Sequence, residues 1–236
     1  MAKSIFKILA IFLVGMVGGI FAEQIFWPYF VERPLFYQYN LESQPVYLTE
    51  RKTVIIQENI ALRDAVEKVE KVVAGVKSKT LEEEVLKGSG LVVTSDGLLV
   101  TLAKLLPQGS DFYFYVDKKW PSYQILKRKN NLALVKVGEE ELETCGFADF
   151  EKIKVGERVF LIGMEFSTTT PQKIVNEGII KRFNQDLIQT NIFESSVVEG
   201  SPLLNIEGKV VGLCTVDDAG WVSAIPITTI RSFIGL

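Results

Sequence analysis

Proton transfer near neutral pH is most often the work of histidine, whose unperturbed pKa lies closest to it, and this chain of 236 residues has none. Any triad built on imidazole is therefore excluded. The two cysteines, Cys145 and Cys214, stand in no CxxC motif, can form at most one disulfide, and are too few to hold zinc. Cys214 lies in the apolar run KVVGLCTV and reads as a buried thiol acting as a small hydrophobe. The densest carboxylates, Glu82, Glu83 and Glu84 and again Glu139, Glu140 and Glu141, fall in expected loops, where solvation explains them better than metal binding or acid/base work. These residue types call for no cofactor and no metal. A net charge of -3, with acids and bases well mixed, gives no basic face for a phosphate backbone, so nucleic acid is not an expected partner.

The elements that must position any chemistry can be read from hydrophobic patterning. At 47% hydrophobic residues the chain can bury a full core, enough for one globular domain plus an appendage. Residues Ile8 to Ala22 carry no charge and follow Lys3 and Lys7, the layout of a secretory signal or a signal anchor. Ile20 occupies a position where cleavage after Ala22 prefers a small residue, so retention as a membrane anchor over residues 1–26 is favoured over secretion after cleavage. Gly15 and Gly19 form a GxxxG pair, a weak signal for close helix approach. Residues 27–57 read as an extended arm, with Trp27, Tyr29, Phe30, Phe36, Tyr37 and Tyr39 interleaved with Pro28 and Pro34.

From Gln57 to Val73 apolar residues recur at helical spacing, which predicts a short amphipathic helix. Beyond Gly75 come short apolar or alternating runs, GLVVTSDGLLVTL, DFYFYV, LALVKV, RVFLIGM, IVNEGII, LIQTNI, KVVGLCTV and WVSAIPI, with hairpin turns at Ser95-Asp96-Gly97 and Ile206-Glu207-Gly208. Many short strands at this spacing predict an antiparallel barrel or sandwich for residues 58–236.

Taken in order, these strings resemble the protease domain of the Deg/HtrA family of trypsin-like serine proteases. GSGLVVTSDGLLVT at Gly88 to Thr101, NLALVKV at Asn131 to Val137, KVGERVFLIG at Lys154 to Gly163, SPLLNIEGKVVGL at Ser201 to Leu213 and SAIPITTI at Ser223 to Ile230 carry the likeness. The resemblance implies an all-β fold of two six-stranded antiparallel barrels with a cleft between them, and, since the likeness runs to Leu236, no PDZ domain after it.

The resemblance also assigns positions. Lys104 stands where the family has its general-base histidine, Asn131 where it has the orienting aspartate, and Glu199 where it has the nucleophilic serine, while Val197 and Glu199 take the oxyanion-hole positions. Lysine at its ordinary pKa is protonated, asparagine carries no charge, and a carboxylate is no hydroxyl. The resemblance therefore implies a catalytically degenerate member, not an enzyme, that binds or scaffolds a protein or peptide. The alternatives are a serine-type endopeptidase with a Ser/Lys-like site, in which Ser201 is the displaced nucleophile and Ser195 and Ser196 lie nearby, or a regulatory subunit of an active paralogue. Lys104 and Glu199 are expected to be neighbours, either ion-paired or separately solvated. Homo-oligomers, trimers by resemblance, are expected, with the domain anchored by its helix outside the cytoplasm.

Overall fold

The computed structural model describes residues 2–32, 58–167 and 170–235. It divides into two units, Met1–Ile55 and Ile56–Leu236. In the first, helix α1 (Ala2–Phe21) continues into a π-helix, Ala22–Glu32. Pro28 lies in that π-helix and has no N–H to donate, which interrupts regular α-helical bonding. Lys3–Trp27, 25 residues, is long and apolar enough to cross a membrane, and its side chains from Ile5 to Trp27 are exposed, so it fits a signal or an anchor. Residues 27–32 of the expected extended arm belong to this π-helix instead, and the rest of it, including Phe36, Tyr37 and Tyr39, lies outside the described residues.

The second unit opens with α2 (Glu58–Val69), shorter than the helix expected to reach Val73. Val73 instead starts β1, and the Val72 carbonyl accepts from Val92 N at 2.8 Å, so this β-branched pair is taken by the sheet. Strands β1 (Val73–Lys79), β2 (Val85–Val92), β3 (Leu98–Leu102), β4 (Asp111–Tyr115), β5 (Tyr123–Lys129) and β6 (Leu132–Val137) form a sheet ordered β4-β1-β2-β3-β6-β5. Strands β7 (Arg158–Glu165), β8 (Gln172–Phe183), β9 (Ile188–Phe193), β10 (Pro202–Asn205), β11 (Val210–Val216) and β12 (Trp221–Pro226) close a barrel ordered β10-β11-β12-β9-β8-β7. Helix α3 (Ile227–Ile234) buries Ile227, Ile230 and Phe233 and ends at Gly235 in the left-handed region.

The expected all-β architecture of two six-stranded antiparallel units is thus present, the first of them open along one seam. After the single bridge Val116↔Lys119 the chain runs through Trp120-Pro121, and Pro121 cannot extend a ladder, so β4 and β5 part instead of pairing. Side chains span the seam: the Tyr123 ring lies 6.1 Å from Phe112 and 5.1 Å from Phe114.

Strand β7 explains how sheet and barrel share a core. Its alternate residues Val159 and Leu161 point into the barrel core with Ile180, Ile188 and Val211, while Phe160, Ile162 and Met164 pack with Leu91, Leu102 and Phe114 of the sheet. A strand buried on both faces reads as one apolar run, which is what RVFLIGM is.

Candidate functional site

The two halves are stitched together at Ser89 on β2, and each of its polar groups has a use. Its N–H donates to the Glu199 carbonyl (2.7 Å), its carbonyl accepts from Thr101 Oγ1 (2.6 Å), and its fully buried Oγ accepts from Met164 N on β7 (2.8 Å). Gly88, next to it, makes the approach possible. A Cβ at Gly88 would lie 2.5 Å from Leu105 Cδ1 and 2.7 Å from the Glu199 carbonyl oxygen, so only a residue without one lets the two segments meet.

On the barrel side a 3-10 turn, Ser196–Val198, leads into Glu199 and Gly200. Gly200 has φ +74°, and a Cβ there would be 2.2 Å from the Ser89 carbonyl oxygen, so both conformation and space demand glycine. Gly200 N donates to the Cys214 carbonyl (2.9 Å) and Cys214 N to the Ser201 carbonyl (2.8 Å), which fix the segment against β11.

On the sheet side, β3 ends in a 3-10 turn, Ala103–Leu105, that presents Lys104. Buried Leu105 and Leu106 anchor it, the buried Ser78 hydroxyl donates to the Leu105 carbonyl, and Ala103 N donates to the Asn131 carbonyl (2.8 Å). Lys104 Nζ then reaches Glu199 Oε1 in an ion pair that bridges sheet and barrel. The carboxylate side chain is only 10% exposed and the lysine side chain 44%, so the pair has a dry end and a wet end. An ammonium has three N–H donors and Glu199 uses one, leaving Lys104 able to donate outward at this junction.

The other expected site residues fall differently. Asn131 is exposed in the two-residue turn between β5 and β6, where it and Asn130 both have φ 55°, and among the described residues its side chain has no hydrogen bond. Its contribution to the junction is its carbonyl. Val197 is half-buried on the 3-10 turn, and the Glu199 N–H donates to the Ser196 carbonyl (3.1 Å), so in this arrangement that N–H is already occupied. Ser195 and Ser196 are exposed, whereas Ser201 is fully buried with an Oγ that has no hydrogen-bond partner among the described residues. Cys145 and Cys214 are free thiols, and burial pushes Cys145 up to about 11 and Cys214 up as well. Sequence reasoning gave no role to Ser89 or Thr101, although a Gly-Ser-Gly inside an aliphatic run was the available signal of a close backbone approach.

Residues 88–213, more than half the chain, match the trypsin-like peptidase domain model. The chain is similar to a probable periplasmic serine endoprotease, DegP-like, of Chlamydia pneumoniae (30% identity over 156 residues, 61% of this chain and 31% of that protein). It is also similar to the serine protease HTRA4 of Mus musculus (29% identity over 161 residues, 62% of this chain and 33% of that protein). It thus spans about a third of the length of these curated relatives. The solved structure of the HtrA-type protease AlgW with tripeptide shares the fold, with a TM-score of 0.66 at 21% identity over 74% of this chain and 62% of that one. These findings correct the expectation that the chain is not an enzyme. The relatives are named serine proteases and endoproteases, and substitutions at Lys104, Asn131 and Glu199 do not by themselves establish inactivity.

Proposed function

Because the chain belongs to the trypsin-like peptidase family, in its Deg/HtrA branch, we propose that its folded domain works outside the cytoplasm and holds polypeptide at the junction of sheet and barrel. The observation that carries this reading is the Lys104–Glu199 ion pair. Its carboxylate is nearly dry and fixed, while the half-exposed ammonium keeps donors for an incoming acceptor. A peptide carbonyl is such an acceptor, and an extended chain lying across the junction brings one every residue. The apolar helix serves as a single-pass anchor over residues 1–26, followed by the arm over 27–57, and the periplasmic naming of a relative supports that location.

Peptide binding measured by calorimetry on the full chain in nanodiscs tests the reading. Affinity for unfolded polypeptide that drops in Lys104→Ala supports it, and affinity unchanged by that substitution refutes it.

A second reading, serine-type endopeptidase, is favoured by the relatives' own names. Ser201 would be the nucleophile, and its buried hydroxyl would have to turn toward the junction before it could attack. Casein cleavage that disappears in Ser201→Ala would support this; cleavage that persists would exclude Ser201. Self-association is supported by exposed apolar residues on the barrel's outer face, where Phe193 and Trp221 meet edge to face at 5.6 Å beside Val175 and Ile179. Sedimentation of Trp221→Glu beside the unmodified chain tests it, and identical oligomers would count against this face.

A further inference from the structure

The open seam has a composition the proposed junction does not use. From Lys118 to Gly138 the chain carries six basic residues and no acidic one, in a protein whose net charge is -3. Lys119 pairs with Glu139, Lys136 with Asp96, and Lys127 donates to the Phe233 carbonyl. Lys118, Arg128 and Lys129 have no acidic partner among the described residues. Glu151 and Asp186 line a cavity of about 580 Å³ together with Lys127 and Lys129 but pair with neither.

These charges lie on or beside β5, which pairs with β6 along one edge and with no described strand along the other. Such an edge offers a row of unpaired backbone N–H and C=O groups to any extended chain. Exposed apolar surface accompanies it, in Tyr123 and Leu126 of β5 itself. Arg128 lies 5.6 Å from the Phe112 ring centroid across the seam, and its buried Nε has no partner among the described residues, a cost that a carboxylate would relieve. Basic residues on an edge strand also repel a second copy of the same strand. The charge that guards the edge against self-pairing selects for a chain of opposite sign.

We infer that the free edge of β5 takes up an extended acidic polypeptide segment by strand addition, with its carboxylates on Lys118, Arg128 and Lys129. Backbone pairing supplies affinity that is indifferent to sequence, and the three unpaired cations supply the preference for acid. The site is separate from the Lys104–Glu199 junction, so either can fail alone.

The test is fluorescence anisotropy on the full chain in nanodiscs with a labelled peptide of about eight residues in which pairs of Glu alternate with pairs of Val, so that a carboxylate faces each side of the strand. Saturable binding is expected, weakened about tenfold by the pair Arg128→Glu and Lys129→Glu, and about threefold by Lys118→Gln with Lys129→Gln, whose exposed side chains leave folding undisturbed. Lys104→Ala should leave this affinity unchanged. Proline at both residues of a Val pair should abolish binding, because it removes donors from both edges of the peptide, including the one that strand addition uses. Equal binding by the charge-reversed variant, equal binding of the proline peptide, or tighter binding of oligothymidylate or anionic vesicles than of the acidic peptide would each overturn the inference.

Discussion

The two partners of the Lys104–Glu199 pair are unequally buried, and their removal should cost unequal amounts. Lys104→Met strands a carboxylate whose side chain is 10% exposed, and a buried charged group left without its partner costs about 2–3 kcal/mol. Glu199→Gln leaves an ammonium on a side chain that is 44% exposed and can turn to water, so its loss should be nearer to ~0.5 kcal/mol, as for surface pairs. For a domain of this size 1 kcal/mol moves the melting temperature by about 2–4 °C, so the expected drops are roughly 4–12 °C and roughly 1–2 °C. The double variant should melt close to Glu199→Gln alone, giving a coupling of about 2 kcal/mol in the cycle. Thermal unfolding of the full chain in mild detergent, followed by far-ultraviolet circular dichroism, measures all four proteins. Equal drops in the two single variants, or no drop in either, would refute the reasoning that the carboxylate is dry and depends on Lys104.

Two further outcomes follow from the junction and a third from a buried thiol elsewhere in the domain. Ser89→Ala removes the acceptor of the buried Met164 N–H and should cost about 1–3 kcal/mol in urea unfolding, whereas an exposed serine such as Ser196 changed to alanine should cost less than about 0.5 kcal/mol. Gly200→Ala adds a left-handed non-glycine residue and a contact of 2.2 Å to the Ser89 carbonyl oxygen, so a loss of at least ~2 kcal/mol or failure to fold is expected. Burial raises the Cys145 thiol to about 11, well above the ordinary thiol range, so its thiolate is about a hundredfold scarcer at pH 8 and native iodoacetamide labelling should be slower by that factor than in urea.

Much of the fold was legible because its strands are patterned by burial. The run RVFLIGM stood out through being buried on both sides, and the glycines at 97 and 208 marked hairpins the chain makes. Strand β5 was not legible. YQILKRK has an outward charged half and a free edge, so it lacks the alternation that betrays a half-buried strand. Strand β1 was hidden differently, since Val72 and Val73 continue the helical spacing of α2 while their backbone already serves the sheet.

At the junction, family resemblance brought Lys104 and Glu199 to one place because both sit on short turns whose anchors, Leu105 and Val198, are buried. Asn131 does not join them through its side chain, because the β5–β6 turn leaves that side chain exposed. The bonds of Ser89 could not be read from sequence, as they depend on the docking of β7, 75 residues away along the chain.

The most direct measurement is amide hydrogen exchange of the full chain in nanodiscs, with and without saturating unfolded polypeptide. Slowed exchange is expected at Ala103–Leu105 and across the segment from Ser196 to Gly200. Protection absent from both turns while polypeptide is demonstrably bound would contradict the assignment of this junction as the place where it is held.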